Sequence, residues 1–238
     1  VTGVVVSACS SSSNSVATAT TSTTASSSAT TEPAPSGGGS SSRSSQFDAL
    51  SSSVQAGECA TFKAVYTSHT TSGTTQTITI EQTPPKSVFS VPTGSVIDDG
   101  THTYFCTAAG GSEQCVESTS SGSPNPFSVL TEIFDPTTLL NEFHAAQSAA
   151  AAHTAGYTVA FSGATYAGLS AKCLDYTGGG QSVKYCVTNS GILAYAQAAG
   201  GTFELTSFSS SPAASDFALP AGAPVVTLPS NGATPVEP

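Results

Sequence analysis

The sequence predicts an α+β fold in which a run of strands is followed by helices and then by a second run of strands. Three observations carry this. Apolar and polar residues alternate in short segments bounded by Gly, Pro and Asp. Two pairs of cysteines sit symmetrically about Gly-Gly dipeptides. Between the strand runs, the stretch from Phe127 to Ala152 switches to helical spacing.

The first strand run opens at Thr61–Ser68, where Phe62, Val65 and Tyr66 interleave with polar residues. Gln76–Gln82 sets Ile78 and Ile80 in alternation with Thr77, Thr79 and Glu81, as expected of a half-buried antiparallel strand. Pro84-Pro85 interrupts the chain before Lys86–Val91. Asp99-Gly100 reads as a hairpin turn between Ser95–Asp98 and Thr101–Cys106, and Glu113–Ser118 ends the run. A first helix is expected over Phe127–Phe134, with Leu130 and Ile133 on one stripe. Asp135 suits an N-cap and Pro136 a first helical position, so a second helix follows with Leu139, Leu140 and Phe143. Strands resume at Tyr157–Phe161, Ala171–Asp175, Ser182–Thr188, Ile192–Gln197 and Thr202–Ser209.

The cysteines reinforce the hairpins. Cys106 and Cys115 are equidistant from Gly110-Gly111, and Cys173 and Cys186 from Gly179-Gly180. Gly-Gly is favoured in a type I′ turn because both central residues need positive φ. Counting outward, each cysteine pair falls at a non-hydrogen-bonded position, where side chains approach most closely, as a disulfide requires. Asp175 then lies opposite Lys184, a compatible cross-strand pair. Cys59 is left over, either as a small buried apolar residue or as one half of an intermolecular bridge.

Composition divides the chain into four stretches. Residues 1–9 read as the end of a signal peptide: Val6-Ser7-Ala8-Cys9 fits a lipobox, with Cys9 as the lipid-attachment site. Residues 10–56 are rich in Ser, Thr, Ala, Gly and Pro and read as a disordered tether, bare or O-glycosylated. Residues 57–220 form the folded domain, and residues 221–238 a loose Pro/Gly/Ala-rich tail. The expectation is an extracytoplasmic protein held to a bacterial membrane by a covalent lipid on Cys9.

Several function classes are disfavoured. Net charge is −10, and the five basic residues, Arg43, Lys63, Lys86, Lys172 and Lys184, form no cluster, so phosphate neutralisation for nucleic-acid binding is missing. Neither G-x-S-x-G nor H-E-x-x-H occurs, nor a nucleotide-binding glycine motif. His69, His102, His144 and His153 have no ligating spacing, and there is no C-x-x-C. The sequence therefore predicts no enzyme, no cofactor and no metal.

The order of elements resembles the LolA/LppX-like lipoprotein carriers, of the LppX/LprG type. The stretches that carry the resemblance are Phe62–Tyr66, Thr77–Gln82, Pro84–Phe89, Ile97-Asp98-Asp99-Gly100 with Thr103-Tyr104, the helical pair over Phe127–Phe143, and Tyr185–Leu193. The resemblance implies a strongly curved antiparallel sheet, an incomplete barrel, with two short helices packed on its concave face and a lipid or other hydrophobic ligand between them. On that reading the lining comprises Phe62, Tyr66, Ile78, Ile80, Phe89, Tyr104 or Phe105, Leu130, Phe134, Leu140, Phe143, Phe161, Leu193, Tyr195, Phe203 and Leu205. The same residues can instead fill a closed core, leaving a tethered structural or protein-interaction module.

Overall fold

The structure, a computed structural model, describes residues 40–109, 112–118 and 134–227. It opens with helix α1 (Ser40–Gly57), followed by six strands: β1 (Phe62–Thr70), β2 (Thr75–Thr83), β3 (Lys86–Val91), β4 (Gly94–Asp98), β5 (Thr103–Ala109) and β6 (Ser112–Ser118). Helix α2 (Pro136–Ala151) separates them from β7 (Thr158–Tyr166), β8 (Leu169–Gly178), β9 (Gln181–Thr188), β10 (Leu193–Ala198) and β11 (Gly201–Ser209). A 3-10 turn at Ala214–Phe217 leads to β12 (Val225–Thr227).

These twelve strands form one sheet in the order β12-β6-β5-β4-β3-β2-β1-β11-β10-β9-β8-β7. Its ends, β12 and β7, do not pair with each other, so the sheet is open. Every pairing is antiparallel except that of β12 with β6. The class is α+β, as the alternation implies.

Helix α1 corrects the reading of residues 10–56 as a tether throughout. Phe47, Leu50 and Val54 recur at i, i+3 and i+7, and each is at most 2% exposed. That stripe docks on the sheet while Ser42, Ser44, Ser45 and Ser52 face water, so tertiary burial overrides a composition that favours disorder. Helix α2 starts where its cap signals lie: Asp135 Oδ1 accepts from the Thr137 N–H at 2.9 Å, and Leu139, Phe143 and Ala146 are buried. The expected helix over Phe127–Phe134 lies outside the described residues except for Phe134. The two helices of the described fold are therefore α1, before the strands, and α2, between them. The tail reading is corrected as well, since β12 pairs Val225 with Cys115 and Val226 with Val116.

Register sorts side chains onto two faces. On the helix-covered face, Ala64, Ile80, Phe89, Val96, Phe105 and Val116 stand opposite one another in turn across β1 to β6. The same face continues through Leu205 and Phe203 to Tyr185, Leu174 and Phe161. Over β7 to β11 it packs against Phe47, Leu50, Val54, Leu139, Phe143 and Ala146 of the helices.

The opposite face carries both hairpin disulfides. Cys106 stands opposite Cys115 and Cys173 opposite Cys186, with Cα separations of 4.0 and 3.9 Å, the short spacing of non-hydrogen-bonded pairs. Cys59 is disulfide-bonded too, which corrects its reading as a lone buried thiol. Two turns differ from expectation. Asp98 pairs with Thr103, so Asp99-Gly100 belongs to a four-residue connection; the Asp99 carboxylate there accepts from the Thr101 and His102 N–H groups. The β7–β8 hairpin is longer than read because it turns at Ala167-Gly168, with φ of 48° and 79°. Alanine rarely takes positive φ, so the sequence gives little sign of that turn.

Candidate functional site

The site suggested by the sequence, an apolar pocket under the helices, maps to the junction of α1, α2, β1, β2 and β10. Phe62, Tyr66 and Ile80 rise from β1 and β2 because they share a strand phase, with Ala64 opposite Ile80 and Tyr66 opposite Ile78. Leu193 closes the site from β10, and Val54 and Leu139 from the helices. Phe134, just before α2, inserts its ring at the centre. It lies 4.9 Å from the Tyr66 ring, 6.2 Å from Phe89 and 5.7 Å from Phe203. Contacts of this geometry stabilise by about 0.5–1.5 kcal/mol each beyond area burial.

The result is a filled site. The space left among Phe62, Tyr66, Ile80, Phe134, Leu139 and Leu193 is about 90 Å³. Pockets for drug-sized ligands span about 300–1,000 Å³. Tyr66 is 2% exposed, and burial pushes its hydroxyl well above the ordinary tyrosine range. The chemistry available is apolar contact; the described pocket lining contains no charged side chain.

The remaining predicted lining residues sort by strand phase. Ile78, Phe89, Phe143 and Leu205 are buried in the core, and Leu140, Phe161 and Phe203 are half-buried against it. Tyr104 is a correction. It pairs with Ile97 and packs on the opposite face, whereas its neighbour Phe105 faces the helices. Tyr195 is a second correction. A register shift between Leu193 and Tyr195 turns the tyrosine away, to stack on Tyr166 at 5.5 Å. Leu130 and Cys9 lie outside the described residues.

A polar cluster that the sequence reading missed pins the C-terminal segment over β3 to β6. Lys63 Nζ lies 2.5 Å from Glu81 Oε1 and 3.1 Å from Asp216 Oδ2. The hydrogen bond to Glu81 is the largest cause holding the Lys63 ammonium above its ordinary range. Asp216 also accepts from the Ala213 N–H at 2.9 Å, and that bond leads the causes depressing its carboxyl. Phe217 follows and buries against Val88, Ile97 and the Cys106–Cys115 bridge. Its sequence signal is faint: one aromatic beside one acid in a Pro/Ala-rich stretch.

No family model matches the chain, and no curated protein matches it. Among solved structures, MucB in complex with MucA(peri) is similar at a TM-score of 0.46 and 14% identity, over 78% of this chain and 62% of that one. The Pseudomonas aeruginosa MucA/MucB complex is similar at 0.44 and 17%, over 80% and 67%. An uncharacterized conserved protein from Thermus thermophilus is similar at 0.43 and 7%, over 79% and 99%. The chain thus spans under two thirds of the first MucB structure. Likenesses at this level assign neither a family nor a function.

Proposed function

We propose that this chain is an exported, non-enzymatic interaction module whose sheet serves as a closed scaffold. The observation that supports this most directly is the site around Phe134, whose ring occupies the centre so that about 90 Å³ remains among the described residues. Two hairpin disulfides, both buried, support an oxidising, extracytoplasmic setting. The charge of −10 with no basic cluster supports a partner other than nucleic acid.

The carrier reading keeps one supporting observation. Phe62, Tyr66, Ile80, Phe134 and Leu193, all foreseen as lining, do surround the small cavity. Titration with a fluorescent fatty acid separates the two readings. A closed scaffold gives no saturable fluorescence change, and Phe134→Ala, which removes the ring from the centre, creates one. Saturable stoichiometric binding to the unaltered protein would overturn the closed-scaffold reading.

A further inference from the structure

The two hairpin disulfides lie on the same face of the sheet but under different covers. Cys173–Cys186 is roofed by its flanking strands. Tyr166 on β7 sets its Oη 3.7 Å from Cys186 Sγ, and Tyr195 stands opposite Cys186 on β10 and stacks on Tyr166 at 5.5 Å. Both tyrosines belong to paired strands, so this roof moves when the sheet itself opens.

Cys106–Cys115 has no such neighbours. Ser95, opposite Cys106 on β4, offers a hydroxymethyl group that covers little. Val225, opposite Cys115 on β12, is 43% exposed. Yet Cys106 is 2% exposed and Cys115 0%. What packs on this bridge is the C-terminal strap, residues 213–227, which carries Phe217 onto Val88, Ile97 and the two cysteines, with Leu219 and Ala223 alongside.

The strap is held at few points. Near its start Asp216 is paired with Lys63 at 3.1 Å, and at its end the three residues of β12, all exposed, lie parallel to β6. Between these points its turns bond to themselves: the Asp216, Ala218 and Ala223 N–H groups donate to the Ala213, Ser215 and Pro220 carbonyl oxygens. Depressions of about 270 and 350 Å³ border it. A segment with one buried aromatic anchor and little bonding to its platform opens locally, without global unfolding.

We propose that the strap is a releasable cover that controls the reduction of Cys106–Cys115, which makes this bridge the thiol-responsive one of the two. The smaller depression leads to it: Cys106 lines that space together with Ser95, Glu113, Asp216, Ala218 and Pro220. A thiolate entering there attacks the Cys106 sulfur, forms a mixed disulfide and expels Cys115 as the thiolate. The second thiol of a dithiol then displaces Cys106. Two electrons and two protons pass to the cysteines, and the reductant leaves as its own disulfide. The Asp216 carboxylate at the rim repels an anionic attacker, so release of the strap removes a steric and a charged barrier together. Reduction then severs the covalent tie between β5 and β6, the strand on which β12 docks.

Timed reduction of the full chain with dithiothreitol, quenched by alkylation and read by peptide mapping, follows each bridge separately. The expected initial rate is about tenfold faster at Cys106–Cys115 than at Cys173–Cys186. Phe217→Ala should quicken the first by a further factor of about ten or more and leave the second within about twofold. Should that variant fail to fold, Asp216→Asn serves instead, since it keeps the ring and loosens its neighbour; it should quicken the first bridge about two- to fivefold and leave the second unchanged. Equal rates at the two bridges of the unaltered chain, or a strap substitution that changes neither rate or both alike, overturns the proposal.

Discussion

Gly57, at the end of α1, and Gly191, in the turn before β10, meet backbone to backbone. A Cβ on Gly191 would lie 2.3 Å from the Gly57 nitrogen and 2.2 Å from the Ser53 carbonyl oxygen, and Gly191 has φ of 81°. Any side chain there pushes α1 off the sheet. Gly191→Ala should cost about 3 kcal/mol, combining a left-handed alanine with an overpacked contact. Gly73→Ala has a similar φ of 88° and open space around it, so it should cost only about 1 kcal/mol. Urea denaturation of both variants checks the difference.

The end of α1 is also held by Gln82. Its Nε2 lies 3.0 Å from each of the Gly57, Glu58 and Ala60 carbonyl oxygens, at and just beyond the point where the helix stops. Gln82→Ala should cost about 1–2 kcal/mol. Gln82→Glu should cost more, since it sets a carboxylate against the same carbonyls. The order of the two variants in denaturant midpoints tests the assignment.

Much of this fold was legible in the sequence because β-structure with one buried face writes itself as alternation. The strands from Phe62 to Ser209 follow that signal, and the cysteine symmetry about Gly179-Gly180 matches the observed pairing of Gly178 with Gln181. The stripe Phe47, Leu50, Val54 was equally readable but was obscured by the serines around it. The candidate site was legible as a set of apolar positions and not as an open or filled space. Strand phase separates Phe105 from Tyr104, but the phase of Tyr195 depends on a bulge that no residue type announces. Whether Phe134 fills the centre is a property of packing, beyond the reach of periodicity.

The C-terminal strap should loosen in acid. The Asp216 carboxyl is depressed, first by the Ala213 N–H and also by Lys63. A depressed acid stabilises the fold above its unfolded value near 3.8, and that contribution is lost as pH falls through the folded value. Limited proteolysis should therefore cut between Ala213 and Pro224 faster below about pH 4. Asp216→Asn should show the faster cutting already at neutral pH.

Alkaline unfolding should report on the core. Burial pushes the Tyr185 hydroxyl up to about 12. Between its unfolded value of about 10 and that point, only the unfolded chain ionises. Stability should be level up to about pH 10 and should fall as pH rises beyond it. Tyr185→Phe should flatten that fall, as followed by denaturant midpoints.

Cys59 offers a chemical test of anchoring. It is disulfide-bonded, and Cys9 is the one other cysteine of the sequence outside the two hairpin pairs. A thioether on Cys9 and a bridge from Cys9 to Cys59 exclude each other. Peptide mapping without reduction should recover a cross-linked peptide containing Cys59. A diacylglyceryl group on Cys9 would support the lipid anchor.

The central claim, a helix-covered site whose centre Phe134 fills, is tested most directly by native mass spectrometry of the full chain exported from a bacterial host and kept free of detergent. The account predicts masses of the protein alone, with no added mass after incubation with lipid. A stoichiometric lipid adduct, retained in the native state and lost on denaturation, would contradict it.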